Sequence, residues 1–317
     1  MRRVLVSVLL LVTAGCGGSA SDVKTEGGNA QITVGVIPIV DVAPIYLGQQ
    51  KGFFSKRKLK LTLKTATSGA VIIPSVVSGG YQVGFSNYTS LLLAREKGLP
   101  LKVIANGDSS TGVQGKDFAA IVVKKSSPIR TAKDLAGKRV SVNALKNIGE
   151  TTLRVSVRKA GGDPATVKLA EIPFPDAPPA LFAGRIDAAF LVEPQLSQAL
   201  AQGARVVASN FVDGAPDLSV AGYFVTEKML KSDADVVKRF TDAINESLTY
   251  ADSHPDETRA VLTSYTKIAP ALIPKLTLPK FSPTIDKDSI KTLGDEAVGD
   301  KLLAKTPDYA ALYAPGR

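Results

Sequence analysis

The groups that ordinarily carry catalysis are scarce in this chain, and the few present do not converge. The one histidine, His254, lies in the stretch Asp252 to Asp256 behind the longest helical pattern, where it reads as a solvent-facing helix end. The one cysteine, Cys16, stands close to the N-terminus. Neither a nucleophile–base pair nor a Cys/His metal cluster can be assembled from them. No G-x-x-x-x-G-K-[ST] loop occurs, so the chain does not hydrolyse ATP itself. We expect no catalytic residue, no metal and no cofactor.

What the chain does hold is a series of polar residues at the ends of apolar runs. Asp41 follows the first strand pattern and precedes a helix at Pro44; it is either a cap or first-turn acid favoured by the helix dipole, or a ligand contact. Ser68, Gly69 and Ala70 open a helix whose free N–H groups suit an anionic or carbonyl oxygen. Ser86, Asn87 and Tyr88, followed by Thr89, offer hydroxyls, an amide and an aromatic face, or simply cap the next helix. Asn143, Asn147, Gly149 and Thr151 make a similar set at a later helix start. Glu193 ends a buried strand, where its carboxylate either accepts from a ligand donor or latches two halves of the molecule. Pro194 starts the helix that follows.

Positioning such residues takes a sizeable scaffold, and 317 residues suffice for about two domains. Hydrophobic residues make up 44% and charged residues 21%, too apolar for a disordered tail and too mixed for a multi-span membrane protein. Basic residues exceed acidic ones by ten. No arginine-rich helix or basic run interleaved with aromatics accompanies that excess, so no nucleic acid partner is expected; attraction to an anionic membrane surface explains it more simply.

The N-terminus decides the compartment. Arg2 and Arg3 precede an apolar run from Val4 to Val12, far short of a ~20-residue membrane span, which reads as a secretory signal over residues 1–15. Small residues lead into Cys16, in a pattern that resembles a bacterial lipobox. The resemblance implies diacylation of Cys16, cleavage before it, and a Gly/Ser-rich tether over 16–30. The mature chain is then expected outside the cytoplasm, anchored to the membrane by lipid.

The body alternates strands and helices. Strand patterns at 32–37, 59–63, 81–85 and 101–105 are separated by helix patterns at 44–51, 70–78 and 90–97. A second set places strands at 118–123, 139–142, 167–172, 188–192 and 205–207 around helices at 132–135, 150–160, 177–183 and 195–202. A strand returns at 223–226, a long helix covers 233–253, and shorter helices follow near 256–265 and 290–293. This spacing means α/β architecture, each half a mostly parallel sheet flanked by helices. We expect one lobe from 31–117 and 222–317, a second from 118–221, and a ligand cleft between them, with extended crossings near Gly115 to Ala119 and Asp217 to Tyr223.

Four stretches carry a family resemblance. Val34 to Phe54 (VGVIPIVDVAPIYLGQQKGFF), Ser78 to Ser86 (SGGYQVGFS), Asp134 to Val142 (DLAGKRVSV) and Gly184 to Pro194 (GRIDAAFLVEP) resemble, in order, segments of substrate-binding proteins of the nitrate/sulfonate/taurine and thiamine-precursor type. The resemblance implies a two-lobed periplasmic-binding-protein-like fold and a monomer that closes on a small-molecule ligand. It further implies delivery to an ABC permease energised by a separate cytoplasmic ATPase. Asp41, Glu150 and Glu193 against Lys146 disfavour a bare anion. The chain has no Trp, and hence no Asp-Trp pair of many thiamine-precursor binders, which leans the reading to sulfonate, taurine or nitrate. A pyrimidine ligand, or a sensor on the same fold, stays open.

Overall fold

A computed structural model describes residues 23–316. The signal region 1–15 and Cys16 lie outside them. The first sheet opens with a hairpin: β1 (Lys24–Glu26) pairs antiparallel with β2 (Asn29–Val36). Gly27 and Gly28 close it, both at positive φ (56° and 76°), as a two-residue hairpin turn requires. Residues 24–30, expected in the tether, are therefore part of the fold. A Gly-rich composition signalled flexibility, but in Gly27-Gly28 it serves a tight turn.

Next come α1 (Ala43–Gln50), β3 (Leu59–Thr65), α2 (Gly69–Val77), β4 (Val83–Asn87), α3 (Tyr88–Glu96) and β5 (Leu101–Ser109). β3 and β4 both run parallel to β2. The chain then builds a second sheet from β6 (Ala119–Lys124) and β7 (Arg139–Val142), with α4 (Ile148–Lys159), β8 (Lys168–Glu171), α5 (Ala177–Phe182), β9 (Ala188–Val192), α6 (Gln195–Ala201) and β10 (Ala204–Ala208). Its order is β10-β6-β9-β7-β8. After α7 (Asn210–Gly214), β11 (Ser219–Thr226) returns and inserts antiparallel between β4 and β5. Then α8 (Glu227–Ser232), α9 (Ala234–Ser253), α10 (Pro255–Val261) and α11 (Lys287–Gly299) pack on the first sheet's side of the molecule.

Parallel pairing holds for β2 with β3 and β4, and for β7 with β8 and β9. The strands next to the crossings, β11, β6 and β10, run antiparallel, so both sheets are mixed. β11 lies wholly in the first sheet, which moves residues 219–221 from the second lobe, where they were expected, to the first. α11 is longer than its pattern at 290–293 suggested, because Asp286 caps it by accepting from Asp288 N–H and Ser289 N–H. Among the described residues no helix is long and apolar enough to cross a membrane.

The longest helix, α9, shows how sequence becomes packing. Phe240, Ile244 and Leu248 recur at helical spacing and are fully buried. They face α1 and the first sheet. Gly48 lets α1 approach, since a Cβ there would run into Ser247 of α9.

The crossings are tied to each other. Ser110 N–H donates to Leu218 O (2.8 Å), and Gly115 N–H to Ser209 Oγ (2.8 Å). Gly112 and Gly115 both take φ 73°, a left-handed turn that non-glycine residues disfavour. Asp117 fastens the outward crossing by accepting from Ser110 Oγ (2.6 Å), Thr111 N–H (3.0 Å) and Phe118 N–H (2.9 Å).

Candidate binding cleft

The carboxyl ends of β2, β4, β7 and β9 converge between the sheets. Around them lies an inner cavity of ≈ 30 Å³, bordered by Asp41, Asn87, Asn143 and Asn147 among apolar side chains from both lobes. A wider outer chamber of ≈ 290 Å³ adjoins it, between residues 37–39 and 65–67 of the first lobe and 173–176 of the second. Ile37, Ile39 and Phe174 border both. The inner space holds about one or two water-sized spheres.

Asp41 sits in the short 3-10 turn Val40–Val42 that joins β2 to α1. It does not cap the helix: α1 starts without a side-chain cap. Its carboxyl turns inward instead, 3% exposed, with Oδ2 lacking any hydrogen-bond partner. Burial pushes its pKa up to about 7.

Asn87 and Asn147 do cap helices, and border the cavity as well. Asn87 Oδ1 accepts from Ser90 N–H (2.9 Å) at the start of α3. Asn147 Oδ1 accepts from Glu150 N–H (3.2 Å) at the start of α4. Asn147 Nδ2 donates to Asn143 Oδ1 (2.7 Å), and Asn143 Nδ2 reaches across to Thr67 O (3.4 Å). The three amides thus form a polar seam where the two lobes meet.

The other expected residues take different places. Ser68 is the N-cap residue of α2 without a side-chain capping bond, and Gly69 is pressed against Ser86; none of the three borders the inner cavity. Ala70 is exposed and lines a separate surface groove with Leu145 and Lys146. Tyr88 points into the first lobe's core, where its hydroxyl donates to Asn106 Oδ1 (3.2 Å). Gly149 makes room for Phe190, whose ring a Cβ would strike. Thr151 Oγ1 donates to Asn147 O (3.1 Å) within α4 and lies 3.5 Å from Thr89 Oγ1 across the lobes. The common reason is orientation: a polar residue beside a strand end points to the cleft or the core according to the neighbouring element.

Glu193 is a latch. Its carboxylate accepts from Ser197 N–H (3.0 Å) and Ser197 Oγ (2.7 Å), capping α6, and from Thr277 N–H (3.3 Å) of the first lobe. Its backbone carbonyl accepts from Val40 N–H (3.0 Å), next to Asp41. The Glu193–Pro194 peptide bond is cis. Burial, only partly offset by these donors, pushes the Glu193 pKa up to about 7.

Sequence reading missed the apolar walls. Phe174, Phe190 and Phe211 form a chain of tilted rings, 5.6 Å between successive centroids, along one side of the cavity; Phe85 and Val220 close the other. Their strands read as ordinary core. Asp108, behind Asp41, was missed too, because Asn106-Gly107-Asp108 carries a turn signal although β5 continues to Ser109. Among the described residues no lysine, arginine or histidine borders the inner cavity, and no cluster of His, Cys, Asp or Glu is arranged to hold a metal.

A family profile described as NMT1/THI5 like matches residues 39–258. The chain is 23% identical over 270 residues to a riboflavin-binding protein, RibY, of Chloroflexus aurantiacus, covering 80% of this chain and 74% of that protein. It is 28% identical over 195 residues to the taurine-binding periplasmic protein of Escherichia coli K12, covering 60% and 57%. In structure it is similar to the alkanesulfonate-binding protein SsuA from Xanthomonas axonopodis pv. citri bound to MOPS. That match has TM-score 0.76 and 18% identity, covering 91% of this chain and 99% of the other.

Proposed function

Since the chain belongs to the NMT1/THI5-like family of ABC-system substrate-binding proteins, we propose that it captures a small solute outside the cytoplasm by closing two lobes, and delivers it to an import permease. Its relatives are solute-binding proteins, and it is one rather than an enzyme. The lobes are residues 31–117 with 222–317, and 118–221, extended by β1 and adjusted at β11 as above. The signal over 1–15 is removed and acylated Cys16 holds the monomer at the membrane. A cytoplasmic ATPase on the permease supplies the energy.

The observation that carries this reading is the cleft at the strand ends, bordered from both lobes, with the buried carboxyl of Asp41, one of its oxygens unpartnered, on its border. Contacts from two lobes reward closure, because the closed form gains interactions that an open one lacks. Asp41, Asn87, Asn143 and Asn147 are the polar contacts of the site.

The solute is a small molecule with an apolar body and N–H donors. Phenylalanines and aliphatic side chains suit the body; Asp41 and the remaining lone pairs of the Asn143 and Asn147 amide oxygens suit the donors. Within the sulfonate, taurine and nitrate group this favours the zwitterionic aminosulfonate over nitrate, which has neither donor nor apolar surface. A flat heterocycle with ring and exocyclic N–H groups, such as a pyrimidine, fits the same description. The aromatic lining gives that second reading its support.

A thermal-shift panel of sulfonates, nitrate, amino acids and pyrimidines tests the class, since a ligand that binds only the folded state raises the melting point. An N–H-bearing compound is expected to raise it and nitrate to leave it unchanged. Stabilisation by nitrate alone would refute the assignment. Small-angle scattering with the stabilising compound should show a smaller radius; no change at saturation would refute closure.

A further inference from the structure

Asp41 does not face the cavity alone. Behind it, near the end of β5, Asp108 is fully buried, and no hydrogen-bond donor reaches either of its oxygens. The turn that carries Asp41 nevertheless packs on β5, and the two carboxyls interact directly, with Asp108 the partner that holds the proton more firmly. Two carboxylates so placed cannot comfortably both be charged, and a proton between them supplies the missing donor.

Among the described residues no opposite charge acts on the pair. Asp117, in the outward crossing, faces the pair but is served by the three donors named above. The other titratable groups that feel the pair's charge are tyrosines: Tyr88 of α3, Tyr223 of β11 and Tyr265 beyond α10. Tyr265 donates to Ile39 O (3.1 Å) and stacks on Tyr46 at 3.9 Å. No cationic side chain is among the groups acting on either carboxyl.

We propose that Asp41 and Asp108 share a proton, and that the natural solute brings a positively charged nitrogen to Asp41, driving the shared proton fully onto Asp108. Asp108 keeps the shared proton; where Asp41 is itself protonated, its carboxylic O–H bond breaks and that proton leaves to solvent water. The solute's N–H⁺ then donates to the oxygen so freed; no other bond changes. This rests on the reading of the cleft as a solute site and narrows its ligand to cations and zwitterions.

Burial pushes both carboxyls upward; the charge on Asp41 raises Asp108 further, whereas the hydrogen bond from Asp108 holds Asp41 lower than burial alone would. On the acid side of neutrality, therefore, protons compete with the solute for Asp41, and affinity for a cation rises up to tenfold per pH unit until Asp41 is ionised.

The test uses three matched probes, benzamidinium, benzamide and benzenesulfonate, in thermal-shift assays at about pH 5.5 and 8. They are applied to the unchanged protein, Asp41→Asn and Asp108→Asn. Benzamidinium is expected to raise the melting point, more at the higher pH, with benzamide and benzenesulfonate ineffective. Asp41→Asn should abolish the shift. Asp108→Asn should keep it but move its onset to lower pH, because an amide N–H in place of the acid stabilises the Asp41 carboxylate.

Without any probe, the unchanged protein should lose melting temperature from pH 5.5 to 8 more steeply than either variant. Equal slopes would overturn the shared proton. Stabilisation by benzenesulfonate as strong as by benzamidinium would overturn the cation preference while supporting solute capture. A cleft that none of the probes enters, with slopes differing as expected, would count against solute capture and leave the shared proton supported.

Discussion

Oδ1 of Asn87 accepts the Ile148 N–H across the cleft at 3.3 Å while it also caps its own helix. One amide oxygen thus ends a strand, starts α3 in the first lobe and receives the first turn of α4 from the second.

Asn87→Ala removes both bonds. Loss of a helix cap costs about 1 kcal/mol, and the Ile148 N–H loses its partner. We expect denaturant unfolding to show a loss of about 1–2 kcal/mol and the stabilising solute to bind more weakly. Asn87→Asp, which keeps the cap, should recover most of the stability. Unchanged solute affinity in Asn87→Ala would remove Asn87 from the site.

Glu193 makes stability depend on pH in an unusual direction. Its folded pKa of about 7 lies above the 4.5 of an ordinary glutamate, so the folded state holds more protons than the unfolded one between those values. Stability from this group is therefore greatest below about pH 4.5, falls as pH rises, and levels off above 7. The total is on the order of 3 kcal/mol at most. Glu193→Gln should flatten that part of the profile in chemical denaturation at pH 5 and 8. An identical profile would show that Glu193 ionises normally.

Arg158 of α4 pairs with Glu296 (2.6 Å) and with Asp300 of α11, joining the lobes away from the cleft. The arginine and Glu296 are partly exposed, so Arg158→Ala is expected to cost only about 0.5–1 kcal/mol, and less at high salt. The clearer effect should be on shape: scattering without ligand should give a larger mean radius than for the unchanged protein. Equal radii would show that the pair does not hold the lobes together.

Phe174 stands between the inner and outer chambers and packs against Phe190. Phe174→Ala should merge the chambers and admit bulkier compounds of the stabilising class. Its stability cost is expected near the lower end of the usual range for buried phenylalanine, about 3 kcal/mol, because the ring already borders open space. A thermal-shift series of increasing ligand size checks this; an unchanged size limit would place the gate elsewhere.

The cleft was only partly legible in advance. Asn87 and Asn147 could be located because a cap residue at a strand–helix junction has a local signature, and here the caps also border the cavity. Tyr88, one residue on, has the same local context and faces the opposite way, into the core. Asp108 was hidden because Asn-Gly before it imitates a turn, whereas pairing with β11 carries the strand onward through bulges.

The order of strands and helices and the two-lobed plan follow from the chain alone, because alternation, caps and glycine stops are written within a few neighbouring residues. Which side chains border the cavity was decided only when segments distant in sequence met: Asp41 against Asp108, Asn87 against Ile148, Phe174 against Phe190. Periodicity reports that a residue is buried; what it is buried against depends on the packing of elements that local pattern does not encode.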